Sequence, residues 1–181
     1  SQTKTYVNSF INIQKKFQFS LIEVHNRPSY ISQLQKKIPY KIFSLYFHND
    51  PLSMDGSKTV EDRKKLLKNC YKIIFNSNWS KKRFLEGLEN KFVNSHKLVV
   101  FFQSAKKGSK SILKNKKNWI TFVGKLNRAK GYDIFAKSIK NILNRYPTWK
   151  AKIIGDEKRE KILLEHKNAD LMGFLDHEQV L

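Results

Sequence analysis

Five apolar residues, Trp119-Ile120-Thr121-Phe122-Val123, run into Gly124, a loop with three cations (Lys125, Arg128 and Lys130) and a second glycine, Gly131. An apolar strand that stops on glycine and restarts as a helix on glycine has few architectures open to it. Phe135, Ile139, Ile142, Leu143 and Tyr146 then recur at helical spacing until Pro147 stops the pattern. Trp149 to Asp156 reads as a second strand ending in a turn at Gly155. Together these make a β-α-β unit with parallel strands. Open parallel sheets bind ligands beyond the carboxyl ends of their strands, where this chain puts its cationic loop. Glycines let the backbone approach a ligand, and the helix start offers free N–H groups and a positive dipole. Gly124, Lys125 and Lys130 are therefore candidate phosphate-binding residues. Many strand-to-helix loops carry glycine and lysine with no ligand, and the second strand is what lifts this loop above that background.

The rest of the chain alternates in the same way. Strands are expected at Phe19–Val24, Lys41–Phe47, Tyr71–Phe75 and Lys97–Phe102, and helices at Ser29–Lys37, Val60–Asn69 and Trp79–Leu88. Residues 105–118 break the alternation with six lysines, no acidic residue and two large apolar side chains, which reads as an exposed linker. The expected organisation is an α/β chain of two Rossmann-like parallel-sheet domains. Residues 1–104 form the first, 105–118 the linker, and 119–181 the start of the second.

The formal net charge of +21 attracts nucleic acid, anionic lipid or phosphorylated substrates. Lysine outnumbers arginine 30 to 6, and Asn, Ile and Phe are abundant, as an AT-rich genome produces. The lysines are spread over every expected helix and no aromatic RNA-binding strand motif appears, so a specific nucleic-acid partner is not expected. Cys70 is the only cysteine, which excludes an intramolecular disulfide and fits a reducing compartment. No apolar run has membrane-spanning length, and Ser1-Gln2-Thr3-Lys4 lacks the layout of a signal peptide. The expected location is the cytoplasm.

Two clusters in the first domain draw attention, His25-Asn26-Arg27-Pro28 and His48-Asn49-Asp50-Pro51. They close consecutive expected strands, so a parallel sheet brings both to one edge. A single histidine there is usually a capping or hydrogen-bonding residue; two His-Asn pairs at equivalent strand ends make a candidate site. Asp50, Asp55, Glu61 and Asp62 show no metal-ligand spacing and read as a solvated face, and no metal site is expected.

Phe122 to Gly131, with Ile153-Ile154-Gly155-Asp156 and Gly173-Phe174-Leu175-Asp176-His177-Glu178, resembles the opening of the donor domain in family 4 retaining glycosyltransferases of the GT-B fold. Members of that family usually have arginine directly after the first glycine and lysine just before the second. Lys130 matches the lysine, and Lys125 replaces the arginine, keeping the charge and losing the bidentate fork. The resemblance implies that Gly124, Lys125 and Lys130 hold the diphosphate of a nucleotide sugar, and that Gly173, Phe174 and Leu175 stand on the side of the base. It makes His48 the catalytic-site histidine, contacting the transferred sugar, with His25, Asn26 and Arg27 lining the acceptor side. Asn76-Ser77-Asn78-Trp79-Ser80 resembles a family segment in which serine opens a helix, and reads equally as a simple N-cap.

By that resemblance the function is transfer of a sugar from a nucleotide-diphosphate sugar to a glycan or lipid-linked acceptor, in cell-surface polysaccharide or lipopolysaccharide synthesis. Configuration is retained, and neither cofactor nor metal is needed. An anionic membrane surface, the inner face of the plasma membrane, is an expected further partner. The alternatives are a non-catalytic basic protein binding nucleic acid or anionic membrane, and another GT-B-like nucleotide-sugar enzyme such as an epimerase. The resembled family also has a glycine-rich loop that opens its acceptor domain and a pair of donor-domain glutamates beyond the third matching segment. Neither occurs in this sequence, so both domains are expected to be incomplete, the second about half present, and the 181 residues alone inactive.

Overall fold

A computed structural model describes residues 2–104, 116–160 and 162–180. The chain divides into two compact units, Ser1–Ala105 and Lys106–Leu181. The expected linker falls largely outside the described residues.

In the first unit, β1 (Leu21–His25), β2 (Ile42–Phe47), β3 (Lys72–Phe75) and β4 (Leu98–Val100) form a parallel sheet in the order β1-β2-β3-β4. β2 is buried at Phe43, Ser44, Leu45, Tyr46 and Phe47 alike, as a strand covered on both faces must be. β1, at an edge, alternates buried and exposed residues. The connecting helices are α2 (Pro28–Lys37), α3 (Val60–Asn69) and α4 (Asn78–Leu85). Pro28 opens α2, where its missing N–H is no loss. Phe47, Phe75 and Phe84 meet with ring centroids 5.3–5.8 Å apart, joining two strands to α4. α4 ends at Leu85, earlier than its sequence pattern suggests, because Glu86 turns extended and Gly87 takes φ 74°.

Helix α1 (Gln2–Phe17) carries no expectation from the sequence. Its inner face is Val7, Phe10, Ile11 and Gln14, and the buried polar Gln14 interrupts the apolar pattern. Gln14 serves as a clasp: its Nε2 donates to the Phe19 carbonyl and its Oε1 accepts from the Phe19 N–H, both at 3.1 Å. The helix is thereby tied to the start of β1.

Thr59 and Asp62 form a reciprocal capping box at the start of α3, with the Asp62 N–H 3.0 Å from Thr59 Oγ1. Thr59→Ala should cost about 1 kcal/mol in urea unfolding. A loss below a few tenths of that would remove the cap from the account of α3.

In the second unit, β5 (Trp119–Val123), β6 (Lys150–Ile154) and β7 (Ala169–Gly173) form a parallel sheet in that order. α5 (Tyr132–Arg145) joins β5 to β6 and buries Tyr132, Ala136, Ile139 and Leu143, the stripe its periodicity requires. Phe122 meets Tyr132 at 5.1 Å and Phe135 at 5.0 Å, which fixes the helix start on the strand. A short helix, α6 (His177–Val180), follows β7. No described helix is long and apolar enough to cross a membrane.

Candidate functional site

Each unit gathers polar side chains at the carboxyl edge of its sheet. In the first, β1 ends on His25, which lies level with Tyr46, and His48 follows β2 by one residue. Asn26 adopts φ 51°, a left-handed conformation that asparagine tolerates. It accepts from the His48 N–H at 2.8 Å, and Asn76 Nδ2 donates to the His48 carbonyl at 2.7 Å. Both peptide groups of His48 are thus held by asparagines from the neighbouring strand ends.

The His48 ring is held as firmly. His48 Nε2 lies 2.7 Å from His25 Nδ1, and His48 Nδ1 lies 2.7 Å from Gln103 Nε2. His25 Nε2 reaches Glu23 Oε1 at 2.8 Å. The Tyr46 ring lies 4.3 Å from the His48 ring, tilted by 33°, and its hydroxyl donates to the Phe101 carbonyl at 2.8 Å. Burial, with the nearby His25 adding to it, holds the His48 imidazole below its ordinary 6.5; Gln103 and Glu23 act in the opposite sense.

The three expected acceptor-side residues, His25, Asn26 and Arg27, line one cavity of about 740 Å³ together with Glu23. Its apolar wall includes Tyr6 and Phe10 of α1 and Tyr30 of α2. Arg27 Nη1 donates to the Asn26 carbonyl at 2.8 Å.

Ser77 caps α4, accepting from the Ser80 N–H at 3.2 Å, so the simple N-cap reading of that segment holds. Asp50 is not free for chemistry. The Arg83 fork grips it through Nε at 3.3 Å and Nη2 at 3.1 Å, and holds its carboxyl below the usual range. Among the other acids, Asp55 pairs with Lys58 and Glu61 with Lys64. Among the described residues no group of three or more His, Cys, Asp or Glu could hold a metal.

In the second unit, glycines close all three strands. Gly124, Gly155 and Gly173 have φ of 152°, 135° and 69°, conformations that favour glycine. The Gly124 N–H donates to the Ile154 carbonyl at 3.0 Å, and the Gly155 N–H to the Gly173 carbonyl at 2.7 Å. Gly155 and Gly124 touch so closely that a Cβ on Gly155 would stand 1.9 Å from the Gly124 oxygen. Phe174 beyond β7 is exposed and Leu175 half-buried.

The loop Gly124–Gly131 is built on Asn127, whose Oδ1 accepts from the Lys130 N–H at 3.1 Å. Asn127 Nδ2 donates to Glu157 at 3.0 Å, and the Arg128 N–H donates to Glu160 Oε2 at 3.1 Å. A backbone N–H of this loop therefore binds a carboxylate oxygen. The Arg159 N–H first, then Asn127, and the charge of Lys125 hold Glu157 below its usual range. Lys125 and Lys130 are exposed, and neither makes an ion pair among the described residues.

Glu23, Gln103, Glu157 and Glu160 join these clusters without a sequence expectation. Glu23 reads as the outward residue of an alternating strand, and Glu157 follows Gly155-Asp156 as an ordinary loop acid. Only their partners across the sheet single them out.

No family model and no curated protein matches the chain. Solved structures share its fold. The Anabaena protein HepE in complex with UDP-glucose is 14% identical with a TM-score of 0.64, over 94% of this chain and 52% of its own. The S. aureus MnaA–UDP structure is 14% identical with a TM-score of 0.59, over 98% and 53%. A Listeria monocytogenes protein assigned as a UDP-N-acetylglucosamine 2-epimerase is 12% identical with a TM-score of 0.55, over 98% and 53%. This chain spans about half the length of the structures it matches. The likeness is one of fold: Rossmann-like parallel α/β of the GT-B type.

Proposed function

We propose that the chain is part of an enzyme acting on a nucleotide-diphosphate sugar, and that the reaction is glycosyl transfer to a glycan or lipid-linked acceptor. The carrying observation is the Arg128 N–H bound to the Glu160 carboxylate, beside the glycine row that closes β5, β6 and β7. That loop coordinates an anionic oxygen with backbone, and it carries two exposed ammonium groups besides. Its fold is shared with structures solved with UDP-glucose and with UDP.

In this reading the diphosphate displaces Glu160 and lies over Gly124–Gly131. Lys125 and Lys130 then neutralise charge that grows as the leaving phosphate departs, which stabilises the transition state more than the ground state. His48 contacts the transferred sugar, as the sequence resemblance implies, and His25, Asn26 and Arg27 face the acceptor. The second reading is epimerisation of a UDP-sugar, favoured by the likeness to the Listeria protein. Both readings share the nucleotide site and part at the acceptor, since an epimerase needs none.

Calorimetric titration of the 181-residue protein with UDP-glucose tests the shared site. Lys130→Ala should weaken binding about ten- to a hundredfold, the worth of a charge-assisted hydrogen bond. Lys125→Arg should keep or improve it, and Glu160→Gln should strengthen it by removing the competing carboxylate. Equal affinity in wild type and Lys130→Ala would take the loop out of the site. Binding to any polyanion that collapses in moderate salt would instead favour a non-catalytic basic protein.

A further inference from the structure

Parallel strands bring their helix-to-strand turns to one edge of the sheet, the amino edge, opposite the edge that holds His25 and His48. Three such turns lead into β1, β2 and β3, which are neighbours in the first sheet. They read Lys15-Lys16-Phe17-Gln18-Phe19-Ser20-Leu21, Lys36-Lys37-Ile38-Pro39-Tyr40-Lys41-Ile42 and Lys68-Asn69-Cys70-Tyr71-Lys72. Each sets lysines beside an aromatic residue, and none holds an acid. Phe17, Phe19, Leu21, Tyr40, Ile42 and Tyr71 are all exposed, from 41% at Phe19 to 75% at Tyr40. The backbone draws the turns together. Leu21 lies level with Ile42, whose N–H donates to the Ser20 carbonyl at 3.4 Å, and the Tyr71 N–H donates to the Phe43 carbonyl at 2.7 Å. The Phe17 and Phe19 rings stack at 5.8 Å. Lysine is abundant throughout this chain, and in the last turns of α1, α2 and α3 it suits the negative helix ends. The exposed apolar side chains gathered among those lysines have no such use, and they carry the argument. The fourth turn, into β4, follows Glu86 and Glu89, which pair with Arg83, Lys64 and Lys91.

We propose that the amino edge of the first sheet is a docking face for an anionic lipid bilayer. Phe17, Tyr40 and Tyr71 enter the headgroup layer, and the lysines of the three turns bind lipid phosphates. Aromatic rings settle at bilayer interfaces, and lysine stems lie along apolar surface while their ammonium groups stay in water. None of the seven lysines in these turns forms an ion pair among the described residues, so their charge is open to headgroups. Lys72 also donates to the His96 carbonyl at 2.7 Å. Lys41 Nζ lies 5.1 Å from the Tyr40 ring centroid, and Lys72 Nζ lies 5.5 Å from that of Tyr71. A cation thus covers each of these rings where a nucleic-acid base would stack, which favours lipid over RNA. His48 follows the far end of the six-residue strand β2, about 20 Å from this face. The face is therefore separate from the strand-end cluster, and docking through it neither needs nor supplies a lipid-linked acceptor there. The proposal draws nothing from the nucleotide-sugar reading.

The test is sedimentation of the full 181-residue chain with phosphatidylcholine vesicles, with and without phosphatidylglycerol. A net charge of +21 draws any part of the chain to an anionic surface, so equal charge is removed at two places. Lys36→Gln with Lys37→Gln neutralises the face, and Lys137→Gln with Lys140→Gln neutralises exposed positions on α5. The first pair should weaken binding to the anionic vesicles about twentyfold, at about fivefold for each lysine near the surface, and the second about twofold or less. Tyr40→Ser changes no charge at an exposed position and should weaken binding about fivefold. Circular dichroism of each variant checks that it is folded. Equal losses for the two lysine pairs, full binding by Tyr40→Ser, or equal binding of the wild type to neutral and anionic vesicles overturns the proposal, as does no binding to either. The same pattern of losses obtained with polyuridylate and absent with vesicles would assign the face to RNA instead. The vesicle assay contains no nucleotide sugar, so its failure leaves that reading where it stands, and failure to bind UDP-glucose leaves the docking face.

Discussion

Gly155→Ala should unfold the second unit. The new Cβ would stand 1.9 Å from the Gly124 oxygen and 2.9 Å from its carbonyl carbon, and both are backbone atoms that no rotamer change can move. The backbone there has φ 135°, a conformation that alanine rarely adopts. Strain and overpacking each cost about 1–3 kcal/mol, so the expected loss is about 4 kcal/mol, comparable to the whole stability of a small α/β unit. The unit carries its own probes, Trp119 and Trp149, and a Trp79→Phe background leaves only these two to report its urea unfolding. Gly131→Ala is the control. It has φ 72° but no atom within 4 Å of the new Cβ, and should cost about 1–2 kcal/mol. Similar losses for the two variants would mean that the Gly155–Gly124 contact yields easily.

Arg63→Met should destabilise the first unit by about 3 kcal/mol. Arg63 is 2% exposed and has no carboxylate partner among the described residues. Its Nη1 donates to the carbonyls of Ser57 at 3.3 Å and Lys58 at 3.0 Å, and its Nη2 to that of Glu86. One planar cation thus ties the approach to α3 to the end of α4. Methionine fills much of the same volume and strands the carbonyls, each worth about 1–3 kcal/mol if water cannot reach it. Arg63→Lys should recover little, because an ammonium cannot span the three acceptors. Unfolding followed at Trp79 in a background lacking the other tryptophans gives the number. A loss below about 1 kcal/mol for Arg63→Met would show that solvent reaches those carbonyls and that the clamp is not needed.

The sequence announces the parts whose pattern has a single period. The apolar runs of β2, β3, β5 and β6, the stripe of α5 and the glycines that close strands are all legible, and they place His25 beside His48 and Gly124 beside Gly155. Helix α1 is hidden because Gln14, a polar residue, occupies a core position and makes its hydrogen bonds to Phe19. β7 is hidden because Leu171 and Met172 are exposed and Asp170 lies within it, so neither alternation nor a continuous run survives. Arg63 is hidden because a charge on a helix reads as surface. The contact of Glu23 with His25 is hidden for a different reason: Glu23 lies two residues before His25 on the same face of an ordinary strand, and only the 2.8 Å distance shows that the two meet.

If the loop holds the proposed diphosphate, the carboxylate of Glu160 on the Arg128 N–H sets the kind of equilibrium that the ligand enters. A loop ringed by free cations would gain each phosphate as an addition, releasing counterions for every charge neutralised, and its affinity would fall steeply with salt. On that proposal one internal anion leaves as another arrives. Part of the charge is cancelled before any ligand comes, and the displaced carboxylate must find solvent or a lysine of its own. Binding therefore becomes an exchange, with a salt dependence shallower than the lysines around the loop would suggest, even in a chain of net charge +21.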